Sequence, residues 1–122
     1  MNIETLRNFC LDKKAVTEHL PFNEDVLVFK VAGKIFLLTS LKSWELNRAT
    51  INLKCQPEYA LELRSNYHSV LPGYHANKKH WNTINLFTGE LNASLVKQLI
   101  THSYQQVVAG LTNKQRTLFH LN

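Results

Sequence analysis

The sequence has little of what usually marks a chemical site. Only two of its 122 residues are cysteine, Cys10 and Cys55. They lie far apart among apolar neighbours, so they make neither a disulfide framework nor a zinc knuckle and read as reduced, small core residues. Glycine is confined to Gly33, Gly73, Gly89 and Gly110. These are isolated turn or cap positions, which leaves no glycine-rich phosphate loop and no expected cofactor. No stretch approaches the roughly 18 continuous apolar residues of a membrane span. The opening MNIETLRNF lacks the charged-then-apolar layout of a secretion signal, so a cytoplasmic chain without membrane contact is expected. Repeats and low-complexity segments are missing too. At 44% hydrophobic and 19% charged, the chain reads as one globular domain over residues 1–122, expected to be monomeric.

Acid is the scarcest commodity of the second half. Residues 1–62 balance eight Lys/Arg against eight Asp/Glu, whereas residues 63–122 set six basic side chains (Arg64, Lys78, Lys79, Lys97, Lys114, Arg116) against Glu90 alone. The whole excess behind the net charge of +5 therefore lies there, and it raises the expectation of a polyanionic partner.

Periodicity then gives a mixed pattern. Asn2 is a good N-cap for a helix carrying Ile3, Leu6, Phe9 and Cys10 to about Asp12, followed by a loop through HLPFNED. VLVFKV and KIFLL are β-rich runs around Ala32-Gly33, a hairpin, with Leu27, Phe29 and Val31 on one face and Val26, Val28 and Lys30 on the other. TSLKSWELNRA reads as a polar connection. TINLK alternates, Pro57 opens a helix through Tyr67, and HWNTINL alternates again up to Thr88-Gly89. Asn92 caps the strongest helical stripe, Leu95 to Leu111, and NKQRTLF forms a short last helix. The pattern implies an α+β domain, an antiparallel sheet with helices on one side and the other face wet.

One stretch concentrates chemistry: PGYHANKKHWNTI, residues 72–84. His75 and His80 have no Cys, Asp or Glu in local ligand spacing, which speaks against a metal. No Asp or Glu occurs from His68 to Thr88, so His80 lacks the orienting carboxylate of a general base. A surface role is left: Lys78, Lys79 and His80 reaching phosphates, with Asn77, Asn82 or Tyr74 adding polar or stacking contacts. The competing structural reading makes Trp81 a half-buried sheet residue, Tyr74 a packing residue at the turn and the two lysines a solvated tip.

VFKVAGKIF (28–36), INLKCQPE (51–58), Leu63-Arg64, PGYHANKKHWNTI and SYQQVV (103–108) follow one another in an order and spacing that resembles the MmcQ/YjbR-like family of small bacterial proteins, over nearly the whole chain. The resemblance implies a curved antiparallel sheet similar to the double-wing domain of a phage transcription factor, and DNA binding by analogy of fold. Asn23 after Pro21-Phe22 departs from the glycine expected there, and residues 44–48 fall in a variable connection. The motif positions are Lys34, Asn52, Lys54, Arg64, Tyr74, His75, Asn77, Lys78, His80, Trp81, Asn82 and Ser103. Several have structural alternatives, with Arg64 holding the NKKHW loop by its carbonyls and Ser103 bonding a carbonyl or packing on the sheet.

The leading expectation is a non-catalytic module for nucleic acid, duplex DNA foremost, held by Lys34, Lys54, Arg64, Tyr74, His75, Asn77, Lys78, Lys79, His80 and Asn82. A protein-interaction domain using the exposed sheet face with Trp44 or Tyr74 is the second. A small-ligand binder or enzyme with a concave pocket around His75, His80 and Tyr74 is the third.

Overall fold

The structure is a computed structural model, and it describes residues 1–74 and 76–122. Its elements, in chain order, are α1 (Ile3–Leu11), β1 (Val16–His19), β2 (Val26–Val31), β3 (Lys34–Ser40), α2 (Leu41–Glu45), β4 (Thr50–Lys54), α3 (Pro57–Asn66), β5 (Val70–Pro72), β6 (Trp81–Asn85), a 3₁₀ turn (Leu86–Thr88), α4 (Ala93–Ala109) and α5 (Asn113–Leu118). The six strands form one antiparallel sheet in the order β1-β2-β3-β4-β6-β5.

Local chemistry explains the boundaries. Asn2 accepts the Thr5 amide at 2.8 Å to start α1, and Asn92 accepts that of Leu95 at 2.8 Å to start α4. Pro57 opens α3, where its missing N–H costs nothing. The β2–β3 turn places Ala32 and Gly33 at φ +50° and +82°, the two-residue hairpin geometry whose twist matches the strands.

Three elements were not expected. β1 replaces the start of the first loop, because Val16 and Glu18 face inward while Thr17 and His19 face out, and four residues give too short an alternation to stand out. The connection after β3 holds α2, capped by Ser40, which accepts the Ser43 amide. β5 is a three-residue edge strand on β6.

The core lies on one face of the sheet. Leu6 and Cys10 of α1, Ala60 and Leu63 of α3, and Val96, Leu99, Ile100 and Val107 of α4 join Leu27, Phe29, Val31, Leu37, Ile51, Leu53 and Ile84 in a single buried cluster, with Trp44 of α2 at its margin. A bulge between Phe29 and Lys30 faces Phe36, so Phe36 and Leu37 are both buried although adjacent. The bulge leaves ladder groups unpaired, and buried Ser103 of α4 satisfies them, donating to the Phe36 carbonyl at 2.5 Å and accepting the Lys54 amide at 2.8 Å.

The opposite face contributes nothing to that cluster. Register runs one row across all six strands: His19, Val28, Leu38, Asn52, Thr83 and Leu71. These residues are exposed or half-buried, apart from Val28, which is fully buried between His19 and Leu38. The wet face is therefore wet except at Val28, on the second strand from the β1 edge.

Candidate nucleic-acid interface

The candidate residues divide into two groups once folded. Arg64 and Asn82 turn inward. Asn82 is 1% exposed, so as a surface contact the expectation for it is corrected: β6 alternation sends it to the core side with Ile84. Its Oδ1 accepts Arg64 Nε at 2.6 Å and its Nδ2 donates to the Ala60 carbonyl at 3.4 Å. Arg64 Nη2 donates to the carbonyls of Lys78 and, at 3.2 Å, Trp81. Its Nε and Nη2 donors are thus spent on tying the Lys78 and Trp81 carbonyls to α3, so the expectation for Arg64 as a surface contact is corrected as well.

Lys78 is partly consumed too, since its Nζ donates to the Gly73 carbonyl at 3.2 Å. Asn77 is exposed, but its Oδ1 accepts the Lys79 amide at 3.0 Å and so caps a turn. His80 is half-buried and its carbonyl accepts the Cys55 amide at 2.8 Å. Lys79 is exposed, and its ammonium has no ion pair among the described residues. Tyr74 is 73% exposed rather than packed at the turn, and its amide donates to Thr83 Oγ1 at 3.0 Å. His75 lies outside the described residues.

Lys34 and Lys54 come together. They line a shared cleft of about 210 Å³ with Ile35 and the C-terminal end of α4. Lys54 is on the outward parity of β4, directly opposite Trp81 of β6. Trp81 is half-buried, while Gly73 packs so closely that a Cβ there would stand 2.8 Å from Trp81 Cβ.

Lys30 and His19, not among the expected contacts, also face outward. Lys30 of β2 pairs with Thr17 and Ile35, and His19 Nε2 lies 2.7 Å from Thr17 Oγ1. The outward parity of Lys30 was readable in VLVFKV, but that of His19 depended on the unexpected β1.

The outward strand positions hold Lys30, Lys54 and His19 and not one Asp or Glu, while Lys34, opposite core-side Val31, stands at the rim of the sheet beside the end of α4. The nearby acids are committed elsewhere. Glu18 faces inward to Arg7 Nε at 2.9 Å, and this bond holds its carboxyl below the ordinary range. Glu90 accepts the Ser69 amide at 2.7 Å. Hydrogen bonding to Ser69, then to the His68 amide, lowers its pKa. Asp25 accepts Ser40 Oγ at 2.7 Å and the Lys42 amide at 2.8 Å, and is lowered likewise.

No group of three or more His, Cys, Asp or Glu converges as a metal site among the described residues. Burial pushes the Cys10 thiol up to about 12 and that of Cys55 up to about 11. Both are therefore protonated and inert at neutral pH. Clefts of about 400, 360 and 330 Å³ are lined by α5, by Phe9 with the first half of α4, and by Trp44 with Phe87, and not by Tyr74 or His80. No helix of the described residues is long and apolar enough to cross a membrane.

A one-sided α+β domain with an acid-free open sheet face is the class this geometry defines. The YjbR family profile matches residues 11–106, and the chain belongs to that family. It is 39% identical over 115 residues to the uncharacterized protein YbdF of Escherichia coli O157:H7, covering 93% of this chain and 89% of the relative. It is 34% identical over 118 residues to the uncharacterized protein YjbR of Escherichia coli K12, covering 97% of each. The crystal structure of a Deinococcus radiodurans protein with the domain DUF419 superposes with a TM-score of 0.89 at 33% identity, over 99% of this chain and 89% of that one. A Pseudomonas syringae protein superposes with a TM-score of 0.72 at 28% identity, over 87% of this chain and 98% of that one.

Proposed function

We propose that the protein is a non-catalytic nucleic-acid-binding module that uses the open face of its sheet. The observation that carries this reading is the outward surface of β2, β4 and β6, which presents Lys30, Lys54, Trp81 and Asn52 without an opposing carboxylate, with Lys34 at the sheet's rim on the α4 side. Ordinary solvated faces mix both signs of charge. A face with cations, amides and an aromatic but no acid matches the needs of a phosphate backbone and its bases. Lys79 and Tyr74 extend the surface along the β5–β6 connection.

The test is fluorescence anisotropy of labelled single-stranded DNA, single-stranded RNA and duplex DNA at about 50 and about 200 mM salt. If Lys30, Lys34, Lys54 and Lys79 each neutralise one phosphate, single-strand affinity falls by about 50-fold over that range, and duplex affinity by about 150-fold. Absence of binding at the lower salt, or affinity that does not respond to salt, overturns the proposal.

A further inference from the structure

The geometry around Trp81 points to a narrower ligand: an unpaired nucleic-acid strand, one of whose bases stacks on the Trp81 indole. This inference rests on the reading of the sheet face given above and specifies which form of nucleic acid that face takes.

Trp81 is the first residue of β6 and faces outward, followed by inward-facing Asn82. Across β4 its partner is Lys54. On the β5 side the neighbour is Gly73, whose amide donates to the Trp81 carbonyl at 2.9 Å. Any side chain there would start 2.8 Å from Trp81 Cβ. Trp81 thus has Lys54 beside it in register on one flank and the Gly73 backbone on the other, where the missing side chain leaves room and Lys78 Nζ reaches the Gly73 carbonyl at 3.2 Å.

The next outward residue of β6, Thr83, donates to Asn52 Oδ1 at 2.5 Å and accepts the Tyr74 amide at 3.0 Å. This fixes the Asn52 carboxamide with its oxygen used and its NH₂ donating to no described residue. Trp81, Lys54 and Asn52 occupy neighbouring outward positions of β6 and β4 on a single surface. They supply a stacking platform, a phosphate contact and a donor for a base-edge oxygen.

Bases in a duplex are stacked on each other and offer no free face to a side chain lying flat on a sheet, whereas unpaired bases do. From Lys30 on β2 to Trp81 on β6 there are three strand spacings, roughly 14 Å. That distance takes two or three nucleotides, the number that four-stranded sheets hold with stacked aromatics.

The experiment isolates Trp81 optically. The chain has two tryptophans, and Trp44 is half-buried with its Nε1 donating to Thr39 Oγ1 at 2.8 Å. In Trp44→Phe the indole emission comes from Trp81 alone. An oligothymidine of about ten nucleotides should quench that emission saturably, and a duplex of equal length should leave it unchanged. In the wild-type chain, which needs no assumption about how Trp44→Phe folds, Trp81→Leu should weaken oligothymidine binding about tenfold. Trp81→Phe should retain most of it, and duplex binding should change in neither variant. Binding without quenching, with Trp81→Leu as tight as wild type, overturns the inference and leaves the sheet-face reading standing. Loss of binding to every nucleic acid overturns both.

Discussion

Replacing Arg64 distinguishes a clamp from a contact. Its Nε bond to Asn82 Oδ1 at 2.6 Å is made at a side chain only 1% exposed. Its Nη2 bonds to the Lys78 and Trp81 carbonyls tie down the loop before β6. Arg64→Met keeps much of the aliphatic stem and deletes every donor. Asn82 Oδ1 is then buried without a partner, a cost of about 1–3 kcal/mol, and charge-assisted bonds worth about 1.5–3 kcal/mol are lost. With overlap between the two terms the expected destabilisation is ~3 kcal/mol, or ~12 °C in Tm for a domain of this size. Urea denaturation measures it. Arg64→Met with Asn82→Leu should recover part of the loss, because removing both partners costs less than orphaning one. A loss below ~0.5 kcal/mol, typical of ordinary surface substitutions, together with weakened nucleic-acid binding, would refute the clamp and return Arg64 to the interface.

Ser103→Ala should destabilise by about 2–4 kcal/mol in the same assay, since it leaves the Phe36 carbonyl and the Lys54 amide buried and unpaired. Ser103→Thr keeps the hydroxyl, and its smaller loss would separate hydrogen bonding from packing. His102 Nε2 accepts the Gln56 amide at 3.1 Å, and burial lowers its pKa from the ordinary 6.5. Its folded pKa lies below its unfolded one, so its contribution to stability is full above about pH 6.5 and declines as pH falls through the folded value. His102→Asn should flatten that part of a stability-versus-pH curve. Gly73→Ala should displace Trp81 through the 2.8 Å approach to its Cβ, seen as a shifted Trp81 emission in a Trp44→Phe background.

Much of the fold was legible because it rests on local signals. Asn2, Pro57, Asn92 and the Ala32-Gly33 turn mark element ends by their own chemistry, and the Leu95–Leu111 stripe is long enough to stand alone. β1, α2 and β5 have four, five and three residues, too few for a period to emerge from its neighbours. The bulge at Phe36 was hidden because it is a property of the β2–β3 pairing and not of either strand. At the site, alternation correctly opposed Asn82 to Trp81, yet one sequence could not tell which faced the core; the Arg64 partnership across 18 residues decided it. Tyr74 is exposed beside the Gly73 turn, where a packing role was expected. That Lys30 joins Lys54 follows from sheet order, which a count of charge along the chain does not contain.

In the proposed function, phosphates are held by lysines of the open sheet face and its rim. This is tested most directly by the slope of log K against log salt for an oligothymidine, measured for wild type and for Lys30→Ala with Lys54→Ala. Four phosphate contacts predict a wild-type slope of about −2.8, and removing two predicts about −1.4, with the 50-to-200 mM loss shrinking from about 50-fold to about 7-fold. An unchanged slope in the double variant would place binding on some other surface of the protein and rule out the sheet face.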